Sequence, residues 1–247
     1  MLPAVLFSLL LFAPQQAPPV TPVATPAPDQ PVTHLFQNLA RDLRALPSSE
    51  AGGVLLAGAA AALAAHRHDV EVADWARRQP SSPLATFGNT VGNGWTQAGG
   101  AFAVWIAGEA SHSANMAHLG SDLIRAQALN GVINTGIKVI VNRDRPTGSA
   151  YSFPSGHTSA TFASAAVVQH HLGWKAGAAA YAAASFVGWS RVRSYQHWLS
   201  DVAFAASVGI VSGRAVTRAH PRQWTMTPVT IRGGIAVFVT RQPGGRP

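Results

Sequence analysis

Apolar residues recur at helical spacing along most of this chain. The segment 34–47 shows this pattern clearly, with leucines on one face of a predicted amphipathic helix that would lie on a core or on a membrane surface. Those leucines are Leu35, Leu39, Leu43 and Leu46. A region rich in Ser, Pro, Gly and Asn interrupts the pattern and is predicted to be a loop. The predicted helices are 34–47, 51–65, 69–78, 96–110, 121–142, 157–172, 175–190 and 198–216, and the loop is 81–94.

Polar side chains inside the predicted helix 121–142 indicate how that helix packs. Charged and amide residues are costly in lipid unless they face the interior of a helical bundle. We therefore predict an all-α helical bundle of about six core helices, and the pattern leaves open whether this bundle is membrane-embedded or water-soluble. The polar residues are Asp122, Arg125, Gln127, Asn130 and Asn134.

The first part of the chain lacks the helical pattern of the middle. Leu2–Phe12 is an apolar run that is too short to span a bilayer comfortably, and Pro, Thr and Ala dominate from there to about Pro31. We expect a signal peptide or apolar N-terminal segment at 1–17 and a Pro/Thr/Ala-rich linker at 18–33. A disordered cytosolic tail is the alternative interpretation of these residues.

The last part of the chain changes to a β-type pattern after Pro221. Residues 225–231 and 235–240 are rich in β-branched side chains, and Arg232, Gly233 and Gly234 separate them. This arrangement predicts a short C-terminal β-hairpin within a β-rich tail at 221–247.

The composition narrows the classes of protein to which the chain can belong. Its 247 residues suffice for one domain with a sizeable core. Charged residues make up only 11% of the chain, yet the mean hydropathy of +0.14 is low for a bundle of lipid-facing helices. The net charge of +8 suits an anionic substrate or membrane surface, and the basic residues form no run that would predict a nucleic-acid partner. The absence of cysteine excludes disulfides and cysteine-ligated zinc.

Three short segments carry the residues of greatest chemical interest. They are Lys138–Pro146 (KVIVNRDRP), Pro154–His157 (PSGH) and Ser190–Asp201 (SRVRSYQHWLSD). In order and spacing they resemble the three-part signature of the type 2 phosphatidic acid phosphatase superfamily, which also contains the vanadium haloperoxidases. The resemblance covers roughly residues 50–220. The seven residues that separate the first two segments are few for this family, which affects the expected substrate pocket more than the chemistry.

His197 and Asp201 are four residues apart, a spacing that places two side chains on one face of a helix. A carboxylate in that position can accept one imidazole N–H and leave the other ring nitrogen as a nucleophile. The resemblance implies that His197 attacks phosphorus to form a phosphohistidine and that Asp201 orients it. A helix-capping histidine beside a surface aspartate is the structural alternative.

Ser155, Gly156 and His157 stand where a proline-containing loop turns into a predicted helix. Ser155 suits an N-cap, and the first backbone N–H groups of a helix can bind an anion. Gly156 has no side chain to block an approaching phosphoryl oxygen. The resemblance implies that His157 is the general acid that protonates the departing oxygen and then the base that activates water.

Lys138, Arg145 and Arg191 supply the positive charge of the motifs. The resemblance implies that they bind the non-bridging phosphate oxygens, where fixed cations favour the transition state of phosphoryl transfer. Lys138 and Arg145 are seven residues apart and are predicted to share a helix face, with Pro146 ending the helix. Arg143, next to them, is expected to be solvated or to touch the substrate. Positive charge at a helix C-terminus is the structural alternative.

The resemblance implies an enzyme that hydrolyses a phosphate monoester or a terminal diphosphate without metal or cofactor. We place this phosphatase domain at 34–220, expect phosphorylated lipids as substrates, and expect a cell-envelope location, in the membrane or periplasm with the site on the periplasmic side. No protein partner is predicted. The alternatives are a soluble acid phosphatase acting on small phosphomonoesters, a vanadium haloperoxidase in which His197 would ligate vanadium, and a non-catalytic membrane scaffold.

Overall fold

Helices make up most of the part of the chain that this computed structural model describes, which is residues 34–218, 224–231 and 234–241. The prediction of an all-α helical bundle is therefore confirmed. The helices within these ranges are α1 Leu35–Arg44, α2 Ser49–His66, α3 Asp69–Arg77, α4 Pro83–Gly92, α5 Gly94–Ala110, α6 Ala114–Val141, α7 Gly156–Leu172, α8 Trp174–Arg193 and α9 Leu199–Arg218.

A helix stands where a loop was predicted at 81–94, and that prediction is wrong. Helix α4 begins at Pro83, and the hydroxyl of Ser82 accepts the backbone N–H of Ala85 at 3.3 Å. Serine before proline is a helix start, because proline at the first helical position has no N–H to leave unpaired. The Ser and Pro residues that indicated a loop are therefore the N-terminal cap of α4.

Helix α6 begins and ends at other residues than predicted. It starts at Ala114, seven residues before the predicted start, and it ends at Val141. Asn142 follows in the left-handed conformation, with φ of 43°, which is a common helix-ending geometry for asparagine. Pro146 therefore does not end this helix, and Arg145 does not share a helix face with Lys138 as predicted. Arg145 lies in the loop after α6.

Helix α7 is the centre of the bundle and packs against α6, α8 and α9. The contact between α7 and α9 is close because α9 presents two glycines to α7. A Cβ atom at Gly209 or Gly213 would collide with the backbone carbonyl oxygens of Ser159 or Ala163. Small residues four apart allow two helix backbones to approach in this way. Around this centre, α2 packs on α9, α5 on α6, and α4 on α8.

Asp122 and Arg125 of α6 face the interior of the bundle, as predicted. Arg125 is 1% exposed, and its Nη2 and Nε donate to the Asp42 carboxylate of α1 at 2.6 and 3.1 Å. Its Nη1 donates to Asp122 Oδ1 at 3.0 Å. Asp122 Oδ2 in turn lies 2.9 Å from His171 Nε2 at the end of α7. This buried ion cluster ties α1 and α7 to α6.

Large apolar side chains remain exposed on the outside of the bundle. The exposed fraction is 88% for Trp95, 84% for Ile140, and 72% for both Leu56 and Leu63. Among the described residues, α9 is long and apolar enough to cross a bilayer, although 61% of its apolar window is buried in the bundle. The strongly bent pair α1 and α2 meets the same criteria only as one combined span. A buried core helix of a water-soluble protein also meets them.

Two strands pair where the C-terminal hairpin was predicted. Strand β1, Trp224–Ile231, pairs antiparallel with β2, Gly234–Arg241, and the register runs from Trp224 opposite Arg241 to Ile231 opposite Gly234. The expected N-terminal segment at 1–17 and the linker at 18–33 lie outside the described residues.

Candidate active site

The residues of the three motifs converge at one end of the bundle. Helix α6 ends there and α7 begins there, and α8 ends there beside the start of α9. The convergence shows in the electrostatics, since Arg145 and Arg191 act on the pKa of Lys138 as well as on that of His157. The residues brought together are His197, His157, Asp201, Lys138, Arg145, Ser155, Gly156 and Arg191.

His197 is buried beside a carboxylate. Its side chain is 2% exposed, and its Nδ1 lies 3.4 Å from Asp201 Oδ2. The Ser152 hydroxyl donates to the same carboxylate oxygen and lies 3.4 Å from Nδ1. Burial lowers the pKa of His197 to about 4, aided by the cations Arg191 and Arg145 and opposed by Asp201. His197 is therefore neutral at neutral pH, with Nε2 as the ring nitrogen that is not beside Asp201.

The helical pairing predicted for His197 and Asp201 is wrong in detail. Helix α9 begins at Leu199, so His197 lies in the loop before the helix and Asp201 lies in its first turn. Asp201 Oδ2 accepts the backbone N–H of Trp198 at 3.0 Å. The carboxylate thus fixes the backbone at the helix start as well as the imidazole, which is a capping role in addition to the predicted one.

Arg143 is an internal ion-pair partner rather than the solvated or substrate-touching residue that was expected. Its Nη1 donates to Asp201 Oδ1 at 2.8 Å, and its Nη2 donates to Asp69 Oδ2 at 2.8 Å. Asp69, in the first turn of α3, also accepts the backbone N–H and the hydroxyl of Ser200 at 2.9 and 2.6 Å. Asp69, Arg143 and Asp201 therefore form a chain of charges that ends beside His197.

Asp69 was not among the predicted site residues. Burial alone would raise the pKa of its carboxyl, but hydrogen bonds from Arg143, Ser200 and His66 hold that pKa below its ordinary value. The carboxylate is thus charged and well coordinated. No local sequence signal marks it, because it lies 131 residues before Ser200 and outside the three motifs.

Arg191 is a buried cation that keeps one donor unused. Its side chain is supported by α4, where Asn89 Oδ1 accepts Nη1 at 2.8 Å. Its Nε is buried and has no hydrogen-bond partner among the described residues. Burial, followed by the charge of Arg145, lowers the pKa of Arg191 to about 10, so the guanidinium stays positive at neutral pH. A buried N–H without an acceptor is costly, and an anion in the site would satisfy it.

Lys138 and Arg145 complete the positive side of the site. Lys138 Nζ donates to the backbone oxygens of Tyr151 and Ser152 at 2.6 and 3.4 Å. Burial, followed by Arg145, lowers the pKa of Lys138 to about 8, opposed in part by Asp201. Arg145 reaches the site from its loop and donates Nη1 to Gln196 Oε1 at 3.4 Å.

The PSGH segment forms the start of α7 as predicted, with one difference. Ser155 occupies the N-cap position, but its hydroxyl accepts from Thr158 Oγ1 at 3.0 Å and caps no backbone N–H. At Gly156 a Cβ atom would meet only Asn134 Oδ1, at 3.5 Å. Protein packing therefore does not require glycine there, and the space beside it is open. Burial, followed by the charge of Arg191, lowers the pKa of His157 to about 3.

A cavity of about 610 Å³ opens on the side of the site that holds Gly156 and His157. Its walls come chiefly from α5, α6 and the start of α7. Apolar and small side chains dominate these walls, among them Trp95, Phe102 and Ile124. His197 is not among the lining residues. The two histidines therefore differ in what they face, and only His157 faces the cavity.

The charge of the site is unbalanced. In the described part of the chain, Lys138, Arg145 and Arg191 form no salt bridge with a carboxylate, whereas Arg143 and Arg125 each pair with two. Within the same ranges, no group of three or more His, Asp or Glu side chains is placed to hold a metal ion. Three cations beside two neutral histidines make a site that attracts a multiply charged anion.

Comparison with known proteins shows which family this arrangement resembles. A model of the PAP2 superfamily matches residues 147–225, which include His157, Arg191, His197 and Asp201. The matched residues include the second and third motifs, and the resemblance to this superfamily is confirmed. Lys138 and Arg145 lie just before the matched residues.

Individual relatives match parts of the chain. A lipid A 1-phosphatase from Porphyromonas gingivalis is 40% identical over 97 residues, which cover 38% of this chain and 22% of that protein. The chain thus matches about a fifth of the length of this curated relative. A transmembrane PAP2-type phosphatidylglycerolphosphate phosphatase from Bacillus subtilis, solved by crystallography, is 19% identical over 76% of this chain and 94% of its own, with a TM-score of 0.39.

Proposed function

We propose that this protein is a phosphatase that hydrolyses a phosphate monoester or terminal diphosphate through a phosphohistidine, without metal. The observation that carries the proposal is the buried Nε of Arg191, which lacks an acceptor among the described residues. Beside it stand Lys138 and Arg145, which form no salt bridge with a carboxylate in the same ranges. A phosphate group supplies the acceptor and the negative charge together. Neither a scaffold nor a packing role uses an unpaired donor of this kind.

The first step transfers the phosphoryl group to the protein. Lys138, Arg145 and Arg191 hold the non-bridging oxygens and stabilise the charge that spreads over them in the transition state. His197 Nε2 donates its electron pair to phosphorus, and the bond from phosphorus to the ester oxygen breaks. His157 is neutral in the free enzyme, so it takes up the proton that the substrate monoanion brings and passes it to the departing oxygen. Asp201 stabilises the positive ring of His197.

The second step regenerates the histidine. A water molecule attacks the phosphorus of the phosphohistidine and gives its proton to His157. The P–N bond breaks, its electron pair returns to Nε2, and inorganic phosphate leaves. His157 thus acts as acid in the first step and as base in the second. The neutral state that burial gives to His197 makes Nε2 available for attack.

Lipid phosphates are the substrates that the observations favour. The relative with 40% identity over part of the chain is a lipid A 1-phosphatase, and the cavity beside His157 is lined mainly by apolar side chains. The exposed Trp95, Ile140, Leu56 and Leu63 and the net charge of +8 suit an anionic membrane surface. We place the phosphatase at 34–220 and at a membrane of the cell envelope, with the site on the periplasmic side.

The test is phosphate release in EDTA from a short-chain lipid phosphate and from a water-soluble phosphomonoester. Wild type should release phosphate, preferentially from the lipid, and His197→Ala should fall by at least about a thousandfold. With radioactive substrate, a phosphoryl label should remain bound to the wild-type protein after the reaction is quenched, and acid should release it. His34→Ala is the control, because this exposed histidine lies outside the three motifs and its ring is hydrogen-bonded to the nearby Gln37 side chain.

Other outcomes would select the alternatives. Preference for the water-soluble ester would indicate a soluble acid phosphatase. Release that survives His197→Ala would overturn the phosphohistidine mechanism. Vanadate-dependent oxidation of bromide without phosphate release would indicate a haloperoxidase, and inactivity in every assay would indicate a scaffold.

A further inference from the structure

The cavity beside His157 lies on the leaving-group side of the site. In an in-line displacement the nucleophile and the departing oxygen stand on opposite sides of phosphorus. His157 protonates the departing oxygen under the proposed function, and it lines the cavity together with Gly156, whereas His197 does not. The organic part of the substrate therefore enters this cavity. A volume of about 610 Å³ accommodates an extended hydrocarbon chain.

The floor of this cavity is an amide-bearing stripe on α6. Gln127, Asn130 and Asn134 line the cavity and are spaced three and four residues apart, so they follow one another along a single face. Lys138 continues this face into the phosphate site. The stripe therefore leads from the phosphate position along the path of the leaving group.

Two members of the stripe donate hydrogen bonds to α7. Gln127 Nε2 donates to the backbone oxygen of Ala160 at 3.0 Å and to Ser164 Oγ at 2.9 Å. Asn134 Nδ2 donates to Ser159 Oγ at 2.9 Å. These two amides join α6 to α7 and have a structural explanation.

Asn130, between them, has no such explanation. Its side chain is 4% exposed, and its Oδ1 is buried without a hydrogen-bond partner among the described residues. Rotation about the last side-chain torsion, which is soft in asparagine, can turn either the oxygen or the NH₂ group toward the cavity. A buried amide in apolar surroundings is unfavourable unless something hydrogen-bonds to it. A polar group on the occupant of the cavity would supply that bond.

We propose that this cavity is a leaving-group subsite for an apolar chain interrupted by one hydrogen-bonding group, which pairs with the Asn130 amide. The substrate class is an amphiphilic phosphate with a hydroxyl, ester or amide set back from the phosphate, in preference to a plain alkyl phosphate. Asn130 lies eight residues before Lys138, or roughly 12 Å along the helix axis, which bounds how far back that group stands. The proposal rests on the proposed function.

The test uses dodecyl phosphate and a series of isomers in which one hydroxyl is moved carbon by carbon along the chain. A hydroxyl can donate or accept, so it pairs with either end of the amide. At the matching position, kcat/KM of wild type should exceed that for dodecyl phosphate by about tenfold or more. Asn130→Leu, which has a similar volume and no polar group, should remove the preference, so that within this variant every isomer is turned over about as well as dodecyl phosphate.

Ser121→Ala is the matched control. Ser121 Oγ is the other buried, unpartnered side-chain atom that the described part of α6 presents, and it does not line the cavity. This variant should keep the wild-type preference. Asn130→Ala serves as a second variant if Asn130→Leu fails to fold, and it too should lose the preference.

The outcomes separate this proposal from the proposed function. Equal turnover of every isomer by wild type, or a preference that persists in Asn130→Leu, would overturn the subsite while leaving the phosphatase intact. Failure of wild type to release phosphate from any of these compounds would overturn the proposed function instead. Calorimetry on His197→Ala measures the affinity for the same isomers without turnover. The isomer that wild type prefers should also bind most tightly there.

Discussion

Two buried arginines of this protein have opposite surroundings. Arg125, in the middle of α6, is 1% exposed and bonds to the carboxylates of Asp42 and Asp122. Arg191, near the end of α8, is 7% exposed, bonds to the neutral amide oxygen of Asn89, and keeps a buried Nε without a partner in the described residues. The first arginine is balanced by the protein itself. The second has no carboxylate partner among the described residues, and a bound anion would balance its charge.

The difference separates charge that supports the fold from charge that serves a ligand. A buried cation is tolerable when carboxylates and hydrogen bonds compensate for its lost hydration. Arg125 meets this condition, and its cluster holds α1 and α7 to α6. Arg191 does not meet it, and its charge contributes, together with those of Arg145 and Lys138, to the low pKa of His157. The cost of desolvating these cations is offset when phosphate binds.

Replacing each arginine by methionine should give opposite results for activity and stability. Arg125→Met leaves Asp42 and Asp122 buried and unbalanced, so the free energy of unfolding should fall by about 3–5 kcal/mol. Arg191→Met removes an unbalanced buried cation, so stability should hold or rise, while kcat/KM should fall by about 10²–10³-fold. Denaturant unfolding and phosphate release on the same preparations measure both. Equal destabilisation by the two changes would contradict the comparison.

Arg191→Lys refines this test. Lysine keeps the charge but has only one nitrogen, so it cannot donate from the positions of Nε and Nη1 together. We expect stability near wild type and a loss of kcat/KM intermediate between wild type and Arg191→Met. Unchanged kinetics would show that the guanidinium geometry does not contribute to phosphate binding.

The pH dependence should reveal the same unbalanced charge. His197 must be neutral to attack, and its pKa is lowered to about 4, so kcat/KM should fall as the pH drops through about 4. His157, with a pKa lowered to about 3, is neutral in the free enzyme, so the substrate monoanion must bring the proton. Because the second pKa of a phosphate ester is about 6, kcat/KM should fall about tenfold per pH unit above that value. A profile that keeps rising to pH 8 would contradict this proton source.

The chain of charges from Asp69 through Arg143 to Asp201 should set the pH at which kcat/KM falls on the acid side of that profile. We call this part of the profile the acid limb. Asp69→Asn frees Arg143 to interact more strongly with Asp201, which weakens the support of His197 and should move the acid limb to lower pH. Arg143→Met removes the competitor for Asp201, so the pKa of His197 should rise and the acid limb should move to higher pH. Both variants should lose about 10–100-fold in kcat with little change in KM.

Opposite shifts of the acid limb in the two variants would show that Asp69 and Arg143 act on the pKa of His197 and do not merely keep the site ordered. Simple disorder of the site would lower kcat in both variants without shifting the limb in two directions. Asp69→Glu keeps the charge and should recover part of kcat. If the limb stays in place in both charge-removing variants, Asp69 and Arg143 hold the loops together and do not tune His197.

Features that depend on neighbouring residues were predictable from the sequence, and those that depend on distant contacts were not. The helical spacing of apolar residues predicted the bundle, and the order and spacing of the motifs predicted that His157, Arg191 and His197 lie close together. The support of Arg191 by Asn89 spans 102 residues, and the bond from Ser200 to Asp69 spans 131. No periodicity encodes such contacts, because they arise from packing of α4 and α3 against α8 and α9.

Local errors had local causes. Ser82 and Pro83 were interpreted as loop residues, although the same pair starts a helix. Arg145 was placed on a helix face by counting seven residues from Lys138, but the left-handed Asn142 ends α6 between them. In each case a single backbone conformation decided the outcome, and composition over a window cannot resolve one residue.

The smallest predicted effect concerns an exposed ion pair, in contrast to the buried ion pairs of Arg125. Glu50 of α2 is 53% exposed and bonds to Arg214, at 2.9 Å, and to Arg218, both on α9. Water already solvates these groups, so Glu50→Gln should change the free energy of unfolding by less than about 1 kcal/mol and leave kcat/KM unchanged. Asp42→Asn, which weakens the buried partner of Arg125, should cost several times more in the same unfolding experiment. Equal losses would mean that exposure does not set the strength of the ion pairs in this bundle, and the contrast between Arg125 and Arg191 would then need a cause other than charge compensation.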